Sequence, residues 1–193
     1  DHLMEYNEVH SVCYENNDSG AFYAGRDWSM RGNQIRHNYL HHISGFEGKG
    51  CVGIYLDDSF SSATIYGNVF FDVTAAAFIG GGRDNIVDNN LFVDCSPALH
   101  IDARGMGWSH ASITNDMPRS LRAMPYTNAL WRTRYPASLQ NLLDDEPAAP
   151  KGNVISRNYV WGGVWERIEA KARPYQTFTN NVIVPGPFAD GLT

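Results

Sequence analysis

The sequence predicts an all-β solenoid of short parallel strands stacked coil upon coil, and three observations predict it. An apolar residue, two others, an Asn and further apolar residues recur as MEYNEV, IRHNYL, IYGNVF, VDNNLF, ISRNYV and FTNNVI. The asparagines of these strings, Asn7, Asn38, Asn68, Asn90, Asn158 and Asn181, lie 31, 30, 22, 68 and 23 residues apart by subtraction of their positions. A solenoid accounts for such unequal spacing, because each coil adds one strand to each sheet and insertions lengthen only the loops. The third observation is bulk: 193 residues with 43% hydrophobic and 19% charged content suffice for one buried core. One domain of about six coils is expected over 1–193.

Each element follows from this frame. Asn suits a recurring tight turn because it tolerates left-handed backbone angles, and its amide can bond the next coil to form a ladder. Between the asparagine turns lie GAFYAGRDW, GIYLDDS, AAFIGGGRD, ALHIDARG and WERIEAK, the strands of a longer exposed sheet. Side chains alternate between the faces of a strand. Placing Phe22, Ile54, Phe78 and Leu99, then Ala24, Leu56, Gly80 and Ile101, inside sends two columns outward. These columns are Tyr23, Tyr55, Ile79 and His100, then Gly25, Asp57, Gly81 and Asp102, with Glu169 continuing the second if Ile168 points inward. The segment 104–152 breaks the strand rhythm with Pro118, Pro125, Pro136, Pro147 and Pro150 and reads as one long, partly helical loop insertion. Within it YPASLQNLLDDEP predicts a short helix, with Pro136 at its first turn and Leu139, Leu142 and Leu143 on one face.

Composition removes several function classes. A net charge of −6 gives no basic footprint for nucleic acid or an anionic membrane surface. No uncharged apolar run approaches the ~18 residues of a membrane span. The chain opens on DHLMEYNEVH, neither a start methionine nor a signal peptide, so a section of a longer protein with further domains is expected. Cys13, Cys51 and Cys95 form an odd set without metal spacing and read as buried thiols. GGGRDN lacks the Lys-Ser/Thr element of a phosphate loop. HNYLHH supplies His37, His41 and His42, but on a strand His41 and His42 face opposite ways and no acid completes a zinc set, so no metal ligands are assigned. No cofactor is expected apart from possible calcium, for which Asp27, Asp57, Asp58 and Asp84 are hard oxygen donors near one rim.

The outward columns carry the chemistry. Strands stand about 4.8 Å apart, so two coils separate Asp57 from Asp102 by roughly 10 Å at the backbone. Inverting glycosidases hold their acid and base about 6.5 to 9.5 Å apart, with room for a water, and that spacing favours inversion here. Asp58 could raise a partner's pKa by like-charge repulsion or position the water. Tyr23, Arg26, Asp27, Trp28, Tyr55, Arg83, His100, Arg104 and Trp108 surround the pair as substrate-binding residues, the aromatics stacking on sugar rings and the polar groups bonding hydroxyls.

The strings YAGRDW, GIYLDD, IGGGRDN, HIDARGMGW, LWRTRYP and DDEPAAPKGN resemble the right-handed parallel β-helix proteins of bacteria that act on polysaccharides, over nearly the whole chain. The resemblance implies a right-handed β-helix, a secreted or periplasmic location and a polysaccharide or oligosaccharide partner. It includes glycoside hydrolases working with paired aspartates, a pattern that falls here on Asp57, Asp58 and Asp102. It also includes lyases that work with Lys or Arg beside calcium-bound acids, for which Arg104, Arg83 and Lys171 are the residues available. A third reading is a non-catalytic carbohydrate-binding or structural section of a larger solenoid.

Overall fold

The computed structural model describes residues 1–135 and 142–186. The chain winds in repeating triplets of strands. The first coil holds β1 (Leu3–Glu5), β2 (Glu8–His10) and β3 (Gly20–Gly25). The second holds β4 (Asn33–Arg36), β5 (Tyr39–Ile43) and β6 (Val52–Asp57), and the third β7 (Ala63–Tyr66), β8 (Val69–Val73) and β9 (Ala75–Gly80). The fourth holds β10 (Ile86–Asp88), β11 (Leu91–Val93) and β12 (Leu99–Asp102), and the fifth β13 (Asn153–Ser156), β14 (Tyr159–Trp161) and β15 (Glu166–Ile168). Two strands of a sixth follow, β16 (Gln176–Thr179) and β17 (Val182–Val184). Like strands of successive coils pair in parallel, giving, among the described residues, two six-stranded sheets and one five-stranded sheet, the stack of a parallel β-helix-like fold.

The core is built in columns, because parallel in-register stacking puts equivalent residues of each coil over one another. Ile35, Ile65, Val87 and Ile155 line the first sheet inside, and Leu40, Phe70, Phe92 and Val160 the second. All eight are buried, and Phe70 stacks on Phe92 at 4.8 Å between centroids. Cys51 and Cys95 are buried, and burial pushes their thiols up to about 11 and about 12.

The Asn ladder runs through the whole stack. Each Nδ2 donates to the Oδ1 of the next Asn, from Asn7 through Asn38, Asn68, Asn90 and Asn158 to Asn181, at 2.9 to 3.1 Å. The left-handed turn sits one residue earlier than the sequence suggests. Tyr6, His37, Gly67, Asn89, Arg157 and Asn180 have φ between 54° and 61°, whereas the ladder asparagines do not. The amide is thus used for hydrogen bonding between coils, and the strain falls on its predecessor. A second, shorter row, unread in the sequence, joins Ala63 N to Asn85 Oδ1 and Asn85 N to Asn153 Oδ1, both at 2.9 Å.

Between β12 and β13 the chain leaves the stack. It forms α1 (His110–Thr114), α2 (Asp116–Arg122) and α3 (Ala129–Arg134), short helices with their own core of Ile113, Met117, Leu121 and Leu142. The helix expected from Pro136 through Leu139 begins on residues outside those described.

Candidate functional site

The outer face of the five-stranded sheet assembles the site, and one expectation about its register needs correction. Leu99 pairs with Ala77, His100 with Phe78, Ile101 with Ile79 and Asp102 with Gly80. Ala77 and Ile79 therefore point inward on the third coil, and Phe78 and Gly80 outward, one residue displaced from the reading that placed Phe78 and Gly80 inside and Ile79 and Gly81 outside. The run AAAFIGGG offers apolar or small residues on both faces, so alternation alone does not fix its register.

With the register settled, the first outward column is Tyr23, Tyr55, Phe78 and His100. Tyr55 stacks on Phe78 at 4.7 Å and 9°, and Phe78 on His100 at 4.0 Å and 4°. Tyr23 meets Tyr55 edge-on at 5.3 Å. Burial in this stack, followed by the Asp102 charge opposing it, leaves the His100 pKa below its ordinary value. The second column is Gly25, Asp57, Gly80, Asp102 and Glu169, whose carboxylate accepts from Ala103 N at 2.8 Å.

Asp57 ends β6 and Asp102 ends β12, so both leave the sheet at one rim. Arg104, at the head of the insertion, folds back between them. Its Nε and Nη2 fork onto Asp102 at 2.8 to 3.1 Å, and its Nη1 bonds Asp58 at 2.9 Å and also Asp57. Three carboxylates from two coils are therefore gathered by one guanidinium, a geometry that suits its fixed fork of donors. Burial opposes ionisation of Asp57, but the Tyr23 and Tyr55 hydroxyls and the Arg104 charge outweigh it and lower its pKa. The same contact, after burial, pushes Tyr23 up to about 12. Arg26 closes the cluster from outside through Asp58 at 2.5 Å.

Aromatic rings frame the guanidinium. Its Cζ stands 5.1 Å from the Phe78 centroid, 5.4 Å from Trp108 and 6.0 Å from Tyr55. Trp108 is 75% exposed, so its ring lies open to solvent beside the acids.

The other residues read from the sequence are placed elsewhere. Trp28 is not a surface platform: it is buried against Ile113, Met117 and Leu121, and its Nε1 donates to Ser59 O at 3.1 Å. The insertion supplies the apolar partners that made it a core residue. Arg83 is likewise buried and is engaged by Asp145 at 3.0 Å and Asp84 at 3.3 Å, which ties the insertion to the stack and leaves it turned from the sheet face. Asp27 accepts from Ser29 N at 2.7 Å in its own turn. The calcium candidates thus have separate partners: Arg104 for Asp57 and Asp58, Arg83 for Asp84, and backbone for Asp27. Phe78 was missed as a site residue because its large apolar side chain reads as core; its outward position follows from its pairing with His100 on the next coil.

No protein-family model matches the chain, and no curated protein and no solved structure matches it.

Proposed function

We propose that the chain is a carbohydrate-active module that hydrolyses a glycosidic bond over the outer face of its five-stranded sheet. The observation that carries this reading is the convergence of Asp57, Asp58 and Asp102 on Arg104 beside a stacked aromatic column. Glycosidases need two carboxylates flanking the scissile bond, and sugar rings pack on aromatic faces. Asp57, held ionised by two tyrosine hydroxyls, is the base that activates water. Asp102 is the group that protonates the leaving oxygen, after the Arg104 fork has shifted from its carboxylate to substrate hydroxyls and the freed carboxylate has taken up a proton from solvent, while the proton of the attacking water passes to Asp57. That shift also clears the gap over Gly80 for the water an inverting pair requires. Trp108 and Tyr23 stack on or bond the flanking sugars, and a secreted or periplasmic location would give access to such a polymer.

The closed ion cluster favours one second reading, a saccharide-binding section without catalysis, because Arg104 occupies the space between the carboxylates. Digestion of a panel of neutral and acidic polysaccharides, following reducing ends and ultraviolet absorbance together, separates the two. Reducing ends without absorbance, abolished in Asp57→Asn and Asp102→Asn, are expected for the hydrolase. Ultraviolet-absorbing unsaturated product would identify a lyase, and retention of a polymer without any product would identify the binding section.

A further inference from the structure

On the outer face of the second sheet, away from the aspartates, three ligand-type side chains from two coils come together. Glu8 and His10 lie two apart on β2 and so share a face, and His41 is the residue paired with His10 on β5. One ligand atom from each of Glu8, His10 and His41 lies within 4.8 Å of the other two. The His41 Nε2 stands 3.0 Å from Glu8 Oε1, and its Nδ1 stands 2.6 Å from His42 Nδ1.

We propose that Glu8, His10 and His41 bind a zinc-class divalent cation, with His42 orienting His41. Tetrahedral zinc with bonds of about 2.0 to 2.2 Å to nitrogen and oxygen sets neighbouring ligand atoms about 3.3 to 3.5 Å apart. The Glu8 and His41 atoms, 3.0 Å apart, need to part by only a few tenths of an ångström to take these places. His10 is exposed and can rotate inward; its Nδ1 is 3.0 Å from Ser11 Oγ, which leaves Nε2 for the metal. Two imidazoles and one carboxylate suit zinc, copper or nickel, whereas calcium and magnesium prefer all-oxygen shells.

The surroundings are those of a held ligand. A His that binds metal through Nε2 keeps its proton on Nδ1 and gives it to an acceptor, which fixes the tautomer. His42 Nδ1, 2.6 Å from His41 Nδ1, takes that role in the tautomer with its proton on Nε2. The His41 ring is also stacked on Tyr39 at 4.2 Å, which holds its plane while His10, now stacked on it at 4.7 Å, turns toward the metal. Three protein ligands leave a fourth position open to water on the exposed face.

The test is calorimetric titration of the chelator-treated chain with zinc chloride, together with cobalt substitution. About one equivalent is expected, with a rise in the thermal transition and visible tetrahedral cobalt bands but no intense thiolate-to-cobalt band. His41→Ala, His10→Gln and Glu8→Gln should each weaken binding at least about tenfold, and His42→Ala by roughly 10-fold as an orienting group. Asp57→Asn should leave binding unchanged. All three ligands are exposed or half-buried, so unchanged thermal transitions of the metal-free variants show that each has folded. Absence of binding, a thiolate band from the cysteines, or binding in the His10 or His41 variant as tight as in the parent would overturn the site.

Discussion

The Arg104 guanidinium occupies the place of the side chain that residue 80 lacks: a Cβ built on Gly80 would stand 2.6 Å from Arg104 Cζ. The glycine between two aspartates in one column is therefore a seat for the cation that joins them. Gly80→Ala is expected to push the guanidinium off its carboxylates and cost about 1 to 3 kcal/mol, as overpacking does. Chemical denaturation gives the stability, and a pH titration of unfolding reads whether the ion cluster has opened.

Arg104→Met removes the charge and keeps much of the stem. Leaving buried acids without their partner is expected to cost about 3 to 5 kcal/mol at pH 7. The pH dependence should weaken. In the native chain Asp57 has a depressed folded pKa, so its contribution is full above the unfolded value of about 3.9 and is lost as pH falls through the lower folded value. Without Arg104 the Asp57 carboxylate keeps its two tyrosine partners but loses a charge that helps to depress its pKa, so the stability lost on acidification from pH 5 toward pH 3 should be smaller than in the parent. Denaturation midpoints across that range check the sign.

Asn68→Ala cuts the ladder at its middle. It strands the Ile35 carbonyl, which accepts from Asn68 at 2.9 Å, and the Asn38 amide, which donates to it at 3.0 Å. Each stranded buried group costs about 1 to 3 kcal/mol, so a total of about 2 to 6 kcal/mol is expected. Asn7→Ala, at the exposed end of the ladder, should cost under about 1 kcal/mol. Paired urea denaturation curves check the ratio.

Trp28→Ala should detach the insertion rather than unwind the stack. The residue is 1% exposed among the helical segment's apolar side chains, and such truncations cost about 3 to 5 kcal/mol. Hydrogen exchange is expected to accelerate across α1 and α2 while the amides of the ladder asparagines keep their protection.

Trp108→Ala should leave the unfolding midpoint within about 0.5 kcal/mol of the parent, since the ring is 75% exposed. Its effect belongs to saccharide affinity, which should fall by roughly tenfold in equilibrium binding to whichever polymer the parent retains. An unchanged affinity would remove Trp108 from the sugar-binding face.

The parallel stack was legible because its two signals are local: an Asn at a fixed place in each coil and alternation within each strand. Asp57 and Asp102 were brought into one column by that pattern alone. Phe78, Trp28 and Arg83 were misplaced because their neighbours lie far along the chain. The ring stack from Tyr55 to His100 draws Phe78 outward, the helices of the insertion bury Trp28, and Asp145 holds Arg83. Glu8 beside His41 was hidden for the same reason, since only coil stacking makes residues 33 apart into neighbours.

The bond from Asn90 to Asn158 spans 68 positions of chain, yet at 3.0 Å it matches the bonds between coils only 22 residues apart. Adjacency in space has been uncoupled from adjacency in sequence at this one joint. Two polypeptides divided within the excursion should therefore find each other again, the first offering coils one to four as a template and the second docking its strands on the exposed edges of β10, β11 and β12. The fold would then serve as a split reporter whose halves are rejoined by backbone pairing rather than by a peptide bond.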